Sequence, residues 1–326
     1  MRFDTKPVKV LVPGPLNQRA LDRIDKHFTM LRLPDLDNPV DPEVAASVRG
    51  IGAIIPISAA QMDMFPNLEI IAHFGVGYDS VDARHAASRG VMVTNTPGVL
   101  TEDVADLAIG LLLNAVRELP RAEQWLRQGK WSSVGTYPLT RLTLRGRKAG
   151  IFGMGRVGLA VAKRLEAFGL SIEYHNRNPV PDAPFKYHAT LLDLASSVDT
   201  LISVVPSTPQ TAKSVNAEVL KALGPEGVFV NIGRGATVDQ DALIAALADG
   251  SIASAGLDVF ANEPNVPQDL VDLPNATLVP HVGSATEYTR GAMADLCADN
   301  LISWFGEGKP VTGVPETSHI QAKPPV

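Results

Sequence analysis

Short apolar runs rich in β-branched residues alternate along this chain with segments of helical periodicity, a pattern typical of parallel α/β folds. Over the first hundred residues the pattern predicts strands at 8–12, 53–57, 69–74 and 91–94, with helices that include 17–27 and 81–88. Strands separated by helices pair in parallel, because the chain must cross back before it starts the next strand. We therefore predict a first, doubly wound α/β domain of the flavodoxin kind.

A second α/β series begins at Arg147. It comprises predicted strands at 148–152, 171–174, 200–204, 228–231, 254–257 and 276–279, with helices such as 157–168 and 240–248. The 326 residues are enough for two such domains, with a cleft expected between them. Beyond His281 a helical pattern runs to about Phe305, and the short remainder is expected to return to the first domain.

Between the two series lies a predicted helix over 101–119, with Thr101 as its N-cap and Pro120 at its end. Its middle is apolar on nearly every face, which indicates a helix buried on all sides. One domain surface covers only one side, so we expect a second subunit on the other. The alternative is that the helix lies between the two domains of its own chain.

Composition and charge exclude several classes of protein. Hydrophobic residues make up 45% of the chain and the formal net charge is -6, without a Lys/Arg block, so a nucleic-acid partner is not expected. The longest apolar stretch, 104–116, contains Asp106 and Asn114 and is too short to span a membrane. The N-terminal apolar run is too short for a secretory signal. Because Cys297 is the single cysteine, we expect no disulfide within the chain, no cysteine metal cluster and a cytoplasmic location.

A glycine-rich motif follows the first strand of the second series. Gly153, Gly155 and Gly158 match G-x-G-x-x-G, with a strand before them and an amphipathic helix after them. The first glycine permits a tight turn, the second lets the backbone approach a pyrophosphate, and the third lets the helix pack on the sheet. The helix N-terminus adds N–H groups and positive potential. A Rossmann-type dinucleotide site is therefore predicted here.

The choice of coenzyme is made at the end of the next strand, which reads Tyr174, His175, Asn176, Arg177. NAD-specific sites place a carboxylate there to accept hydrogen bonds from the ribose 2′-hydroxyl. This chain has none, and Arg177 offers a planar guanidinium suited to a 2′-phosphate. We predict NADPH, the alternative being that Arg177 is only a solvated strand-end arginine.

If a dinucleotide coenzyme delivers hydride to a carbonyl carbon, the protein must supply a cation for the developing oxyanion, a proton donor, and a group that tunes the donor. Arg234, between two glycines after a strand, fits the first role. His281, just after the last predicted strand, fits the second, and Glu263, in the loop after the preceding strand, fits the third. A buried structural arginine and a structural histidine are the alternatives.

Several motifs resemble those of the D-2-hydroxyacid dehydrogenases, in the same order and over essentially the whole chain. They are Gly153-x-Gly155-x-x-Gly158, Asn231-Ile-Gly-Arg234-Gly, Gly256-Leu-Asp258-Val-Phe-x-x-Glu263-Pro and Pro280-His281-x-Gly283-Ser284. The segments 95–106, 222–225 and 75–82 are most similar to glyoxylate/hydroxypyruvate and hydroxyphenylpyruvate reductases. One departure is Val204-Val205 before the Pro206-Ser-Thr-Pro-x-Thr211 segment, where many relatives have a histidine.

The resemblance implies a role for each of these residues. Arg234 would bind the substrate carboxylate and carbonyl, His281 would protonate the carbonyl oxygen, Glu263 would hold His281, and the N–H groups of Val76 and Gly77 would bind the carboxylate. Asp258 would anchor the nicotinamide amide. The other residues expected to contact NADP(H) are Thr101, Gly153, Met154, Gly155, Arg156, Val157, Gly158, Asn176, Arg177, Val205, Pro206, Thr211, Ile232, Gly233, Gly283 and Ser284.

The resemblance also implies a discontinuous substrate-binding domain, residues 1–98 with 286–326, and a Rossmann cofactor domain, residues 99–285, which includes the dimerisation helix 101–119 of a homodimer. The reaction expected is NADPH-dependent reduction of small 2-keto acids to D-2-hydroxy acids, without a metal. No Lys or Arg lies between Glu69 and Asp82, so glyoxylate and hydroxypyruvate are favoured over a phosphorylated acid. Larger acids such as hydroxyphenylpyruvate come second, with Phe74, Tyr78 and Trp131 as candidate pocket residues.

Three other functions are known for this kind of fold. A phosphoglycerate dehydrogenase would need a cationic substrate loop, and formate dehydrogenases do not use a carboxylate where Glu263 stands. A nucleotide-sensing corepressor that binds partner proteins is the more remote alternative, because fold alone does not fix function.

Overall fold

The computed structural model describes residues 5–322. They form two compact units: the first runs to Leu100 and resumes at Ala285, and the second is Thr101–Ser284. These boundaries lie within two residues of the divisions expected after 98 and 285.

The first unit is a five-stranded parallel sheet with helices on its faces. Its elements are β1 (Lys9–Pro13), α1 (Gln18–His27), β2 (Thr29–Leu33), α2 (Pro42–Ser47), β3 (Val48–Ala53), α3 (Ala59–Asp63), β4 (Ile70–His73), α4 (Ala83–Ser88), β5 (Met92–Thr94) and, from the C-terminal part, a helix at Glu287–Glu307 and a 3-10 turn at Pro315–Thr317. The strand order β2-β1-β3-β4-β5 is the flavodoxin order, which confirms the predicted fold class.

The long C-terminal helix packs against α1, β3 and β4 of the first unit. Ion pairs fix it to α1: Arg19 contacts Asp295 at 2.6 Å, and Arg23 contacts Asp299 at 2.6 Å. The segment after this helix then pairs with the end of β5 through a bridge from Thr94 to Gly313. The chain thus completes its first unit only at its end.

The second unit is a seven-stranded parallel sheet, in the order β12-β11-β10-β9-β6-β7-β8. Its elements are α5 (Thr101–Arg117), α6 (Leu119–Arg127), α7 (Lys130–Ser133), β6 (Lys148–Phe152), α8 (Arg156–Ala167), β7 (Ser171–His175), β8 (Lys186–His188), α9 (Leu191–Ser197), β9 (Thr200–Ser203), α10 (Ala217–Leu223), β10 (Val228–Asn231), a 3-10 turn (Gly235–Thr237), α11 (Gln240–Ala248), β11 (Ser254–Leu257), α12 (Gln268–Val271) and β12 (Ala276–Leu278); the C-terminal helix of the first unit is α13. This is the Rossmann order extended by one strand, which confirms the predicted fold class, although only six of the seven strands were predicted.

The core of the second unit lies on both faces of its sheet. On β6, Ile151 belongs to the cluster formed with α5 and α8, whereas Phe152 belongs to the cluster formed with α9, α10 and α11. This alternation follows from the period of two along a strand. The carboxyl ends of all these strands therefore meet at one edge of a sheet that is covered on both faces.

The helix predicted at 101–119 ends earlier than expected. It stops at Arg117, Glu118 takes a left-handed φ of 51°, and Pro120 lies in the first turn of α6. Pro is favoured at a helix start because its missing N–H needs no partner there, so it opens the next helix and does not end this one. Within its unit α5 packs on α8, β10, β11 and β12, while Leu107, Gly110 and Leu113 remain partly exposed.

Three strand assignments from the sequence were wrong or incomplete. The third strand is Val48–Ala53 and not 53–57. It was not recognised because it contains Gly50 and Gly52, and glycine is uncommon inside strands. Close packing explains both glycines, since a Cβ added to Gly50 would lie 3.1 Å from Phe305 and one added to Gly52 would lie 3.1 Å from Ile24. The edge strands β2 and β8 were missed, since Thr29–Leu33 has no fully buried residue and Lys186–His188 has only three residues. None of the helices within residues 5–322 has the length and apolar character that a membrane span requires.

Candidate active site

The three residues predicted to carry the chemistry follow three neighbouring strands of the second unit. Arg234 comes after β10, Glu263 lies in the loop after β11, and His281 comes after β12. The order β12-β11-β10 makes these strands adjacent, and all are parallel. Ligands of open α/β sheets bind outside the carboxyl ends of strands, which is where the structure gathers all three.

His281 and Glu263 form a hydrogen-bonded pair, with Nδ1 of His281 2.7 Å from Oε2 of Glu263. The other oxygen of Glu263 accepts the N–H of Phe260 at 3.0 Å, which fixes the carboxylate in place. A carboxylate accepts, so Nδ1 of His281 carries a hydrogen. Nε2 is therefore the ring atom left to exchange a proton with a substrate.

The pair shifts the ionisation of both partners. The hydrogen bond to Glu263 raises the pKa of His281 above its usual value; burial opposes this rise, the charges of Glu263 and Asp258 add to it, and Arg234 opposes it. Burial alone would raise the pKa of Glu263, but the hydrogen bonds from His281 and the Phe260 N–H, with the positive charges of His281 and Arg234, lower it overall. The arrangement therefore favours imidazolium beside carboxylate, which is what a proton donor near neutral pH requires.

Asp258 holds the backbone around His281. Its two carboxylate oxygens accept the N–H of Val282 at 2.6 Å and of Gly283 at 3.0 Å, and its carbonyl accepts the N–H of His281 at 2.9 Å. Burial raises the pKa of Asp258, and these hydrogen bonds oppose the rise. His281 has a φ of 51°, in a region that non-glycine residues adopt only when their surroundings impose it. The side chain expected to anchor a nicotinamide amide thus also braces the histidine loop.

The loop that carries Arg234 is fixed by Asn231 at the end of β10. The Asn231 side chain accepts the Gly233 N–H at 3.0 Å and donates to the Arg234 carbonyl at 3.1 Å. The two glycines that flank Arg234 leave no room for a side chain: a Cβ on Gly233 would lie 2.6 Å from the Val205 carbonyl oxygen, and one on Gly235 would lie 1.9 Å from Phe260. Close backbone packing therefore requires both glycines.

The glycine motif forms the turn from β6 into α8. Gly153 has a φ of 106°, and a Cβ on Gly158 would lie 2.2 Å from the Gly153 carbonyl oxygen, so packing within the chain explains both. Gly155 is the N-cap of α8 and is different: its φ is -97°, and a Cβ there would meet only open space. A ligand that approaches the backbone closely explains this glycine, so the loop fits a pyrophosphate.

The end of β7 forms the corner where coenzymes are distinguished. Oδ1 of Asn176 accepts the Met154 N–H at 2.6 Å and so joins this corner to the glycine loop. The Asn176 carbonyl accepts the Tyr187 hydroxyl at 3.2 Å, and Nδ1 of His175 donates to the His188 carbonyl at 2.9 Å. Arg177 is exposed, and no hydrogen bond or ion pair within residues 5–322 uses its side chain. The corner is well fixed, holds no carboxylate and presents an available guanidinium.

The remaining residues expected at the coenzyme lie on the same unit. Thr101 is the first residue of α5, and Arg156 and Val157 are the first two residues of α8. Ile232 follows β10, and its N–H donates to the Ser203 carbonyl. Thr211 donates its hydroxyl to the Pro206 carbonyl at 2.7 Å, which closes the loop after Val205 on itself. Ser284 is the last residue of the unit. Nowhere in residues 5–322 do three or more His, Cys, Asp or Glu side chains gather as metal ligands.

Val76 and Gly77 belong to the first unit, on the loop after β4. The candidate pocket residues Phe74 and Tyr78 lie in the same unit. His73 and Asn95 were not predicted as site residues, yet their side chains hydrogen-bond to this loop: Nε2 of His73 lies 3.1 Å from the Gly77 carbonyl oxygen, and Nδ2 of Asn95 lies 2.8 Å from the Val76 carbonyl oxygen. Their positions at the ends of β4 and β5 were the available signal, since strand ends carry functional loops in this fold class.

Comparisons with known proteins find relatives that match most of this chain. The sequence profile of the NAD-binding domain of D-isomer-specific 2-hydroxyacid dehydrogenases matches residues 109–283. The chain is 43% identical over 310 residues to hydroxyphenylpyruvate reductase of Plectranthus scutellarioides, covering 93% of this chain and 97% of that protein. It is also 43% identical over 304 residues to glyoxylate/hydroxypyruvate reductase A of Arabidopsis thaliana, covering 91% and 96%.

A solved structure shows the same fold. The NADPH-dependent glyoxylate/hydroxypyruvate reductase of Sinorhizobium meliloti, in complex with NADP and malonate, is 54% identical, with a TM-score of 0.95. The similarity covers 98% of this chain and 100% of that one. Both the fold and the sequence are thus shared over nearly the whole length.

Proposed function

The chain belongs to the D-isomer-specific 2-hydroxyacid dehydrogenases, and from this premise we propose that it reduces small 2-keto acids, glyoxylate and hydroxypyruvate first, with NADPH. The observation that carries the proposal is the pair of His281 and Glu263 at the strand edge that also holds Arg234 and the glycine loop. The NADPH-dependent reductase of S. meliloti, solved with NADP and malonate, supports both coenzyme and substrate class.

In the proposed mechanism each side chain has one task. NADPH, when bound, supplies the hydride to the carbonyl carbon. Nε2 of His281 gives its proton to the carbonyl oxygen, so that the alcohol forms without a free alkoxide. Glu263 favours the imidazolium beforehand and keeps Nδ1 protonated throughout. Arg234 stabilises the substrate carboxylate and the charge that develops on the carbonyl oxygen. His281 then regains a proton from solvent.

The proposed substrates are unphosphorylated. No lysine or arginine occurs between Glu69 and Asp82, so a phosphate would find no cation on the loop that follows β4. A larger acid is the second candidate, because hydroxyphenylpyruvate reductase of P. scutellarioides is 43% identical. Three aromatic residues were the candidates to line a pocket for such an acid. Phe74 is buried, and Trp131 is 63% exposed. The Tyr78 hydroxyl donates a hydrogen bond to Glu316 at 3.1 Å.

A comparison of kcat/KM with NADPH across five acids tests the proposed function. The acids are glyoxylate, hydroxypyruvate, pyruvate, hydroxyphenylpyruvate and 3-phosphohydroxypyruvate. We expect the first two to be reduced most efficiently. A preference for the phosphorylated acid would refute the substrate class, and turnover of none would refute the proposed reaction and favour a coenzyme-binding protein without catalysis.

Replacement of Glu263 by glutamine is expected to move the pH dependence of keto-acid reduction. Glu263 raises the pKa of His281, so its loss lowers that pKa. Reduction needs protonated His281, and the fall in kcat/KM on the alkaline side should therefore begin at lower pH than in the parent enzyme. The control is Glu218→Gln on α10 of the same unit, which should keep the parent profile. An unshifted profile for Glu263→Gln would refute the pairing.

We propose that the protein is a homodimer. Exposed apolar side chains are concentrated in one stretch of the chain, from α6 to the residues just after α7: Leu119, Leu126, Trp131, Val134 and Leu139 are 46% to 100% exposed. A soluble protein seldom leaves such a stretch uncovered, and two-fold dimers are the commonest way to cover one. Sedimentation should show a dimer that Trp131→Glu weakens; a monodisperse parent monomer at micromolar concentration would contradict the proposal.

We also propose a cytoplasmic location, which fits a chain whose only cysteine is kept as a thiol. Cys297 is fully buried, and burial raises its pKa to about 12. Such a thiol is unreactive and serves packing.

A further inference from the structure

The loop from Gly75 to Tyr78, after β4 in the first unit, has every carbonyl anchored. The Gly75 carbonyl accepts the Thr96 N–H at 2.8 Å, and the Val76 carbonyl accepts Nδ2 of Asn95 at 2.8 Å. The Gly77 carbonyl accepts Nε2 of His73 at 3.1 Å, and the Tyr78 carbonyl accepts the Val81 N–H at 2.9 Å. Four successive carbonyls are thus held from the body of the unit.

Anchored carbonyls fix the direction of the neighbouring N–H groups. In a trans peptide the C=O of one residue and the N–H of the next point in opposite directions. The bond from Asn95 to the Val76 carbonyl therefore turns the Gly77 N–H away from Asn95, and the bond from His73 to the Gly77 carbonyl does the same for the Tyr78 N–H. None of the hydrogen bonds within residues 5–322 uses the N–H of Val76, Gly77 or Tyr78. Successive N–H groups without a partner inside the protein are available to bind an anion.

The two side-chain anchors are themselves firmly held. The Asn95 carbonyl accepts the Thr312 hydroxyl at 2.6 Å, and Nδ2 of Asn300 donates to that hydroxyl at 2.8 Å. Asn300 lies on α13 and is completely buried, so a chain of hydrogen bonds runs from the returning helix to the loop. His73 is buried, and a Cβ on Gly75 would lie 2.9 Å from its Nε2, so a glycine is needed for this approach.

We propose that Asn95 and His73 are positioning residues that hold the Val76–Tyr78 N–H groups ready for the carboxylate of the 2-keto acid. Without the Asn95 amide, the peptide between Val76 and Gly77 is free to rotate and to turn its carbonyl toward the anion, which that carbonyl repels. The two residues act on substrate affinity and not on proton or hydride transfer. The inference rests on the proposed function for the identity of the carboxylate.

The test measures binding of oxamate, a carboxylate that cannot be reduced by this route, to the complex of the protein with NADP⁺ by calorimetry. Asn95→Ala should weaken oxamate binding and raise the KM for glyoxylate by about tenfold each, the equivalent of one hydrogen bond. The kcat should change by less than about threefold, because the lost interaction is equal in ground and transition states. The control is Asn67→Ala, which removes another side-chain bond to a carbonyl in the same unit, at Ala46, and should leave both constants unchanged.

A second pair of variants tests His73 independently. His73→Gln keeps an N–H donor of similar reach and should retain most of the oxamate affinity, whereas His73→Leu should lose about as much as Asn95→Ala. His85→Leu, at a partly buried histidine paired with Asp63, is the control. Thermal melting and NADPH affinity, measured on every variant, report folding.

Parent-like oxamate binding in Asn95→Ala and His73→Leu would overturn the inference. A parallel loss of oxamate affinity, NADPH affinity and melting temperature would also overturn it, because that pattern indicates a merely structural role. Should the parent protein bind oxamate in an Asn95-dependent manner and yet reduce no keto acid, the proposed function would fail while the positioning role stands. A parent protein that binds no oxamate would contradict the positioning role directly.

Discussion

Replacement of His281 by alanine is expected to lower kcat for keto-acid reduction by about 10²- to 10⁴-fold, the usual effect of losing a general acid. Nδ1 of His281 is bonded to Glu263, which leaves Nε2 as the ring atom that can donate a proton to the substrate. The same hydrogen bond raises the pKa of His281. Without His281 the carbonyl oxygen must take its proton from water while it accumulates charge. Single-turnover oxidation of NADPH, followed by absorbance, measures the effect on the chemical step.

The affinity for NADPH should survive this change, because the glycine loop and the β7 corner lie after other strands. His175→Ala is a matched control in the same unit. It removes a ring that stacks on the Phe152 ring, with 5.6 Å between the ring centroids. This change should disturb the coenzyme corner without abolishing the chemical step. A kcat for His281→Ala within about threefold of the parent would remove His281 from the mechanism.

Replacement of Arg177 by alanine is expected to raise the KM for NADPH and to spare NADH. The loss should be about 1 to 3 kcal/mol, roughly 5- to 150-fold, for a charge-assisted pair with the 2′-phosphate. Arg177 is exposed and follows β7 directly, so its removal disturbs no packing. Arg145→Ala, at another exposed arginine of the same unit, is the control for net charge. An unchanged ratio of NADPH to NADH efficiency would contradict the assigned coenzyme.

Asn176→Asp sharpens the same test. An aspartate can still accept the Met154 N–H, which Oδ1 of Asn176 accepts at 2.6 Å, so the glycine loop should keep its geometry. The added charge would repel a 2′-phosphate and offer an acceptor to a 2′-hydroxyl. The variant should therefore shift its preference toward NADH. If it prefers NADPH over NADH as strongly as the parent does, this corner does not determine coenzyme choice.

The sequence predicts two kinds of site feature: motifs whose residues are close together along the chain, and residues that come soon after the end of a strand. The glycine motif has its strand and helix beside it, and His281 and Glu263 each follow a strand, so parallel pairing brings residues 18 positions apart within hydrogen-bond distance. The family resemblance added the roles. The two doubly wound parallel α/β folds followed from the alternation of elements and were confirmed.

What the sequence did not show depends on contacts between distant segments. Gly50 and Gly52 looked unlike a strand because the side chains that pack on them, such as Leu301, come from α13 near the end of the chain. Asn95 and Val76 are 19 positions apart, and Thr312 is 217 positions from Asn95. No periodicity encodes such pairs, because each is set by where the returning C-terminal segment packs.

The most direct test of the central claim is to incubate the protein with hydroxypyruvate and NADPH and to determine both the NADPH consumed and the configuration of the product. We expect one NADPH oxidised for each glycerate formed, with the glycerate in the D configuration and NADH a poorer donor. Absence of NADPH oxidation, or formation of L-glycerate, would contradict the account.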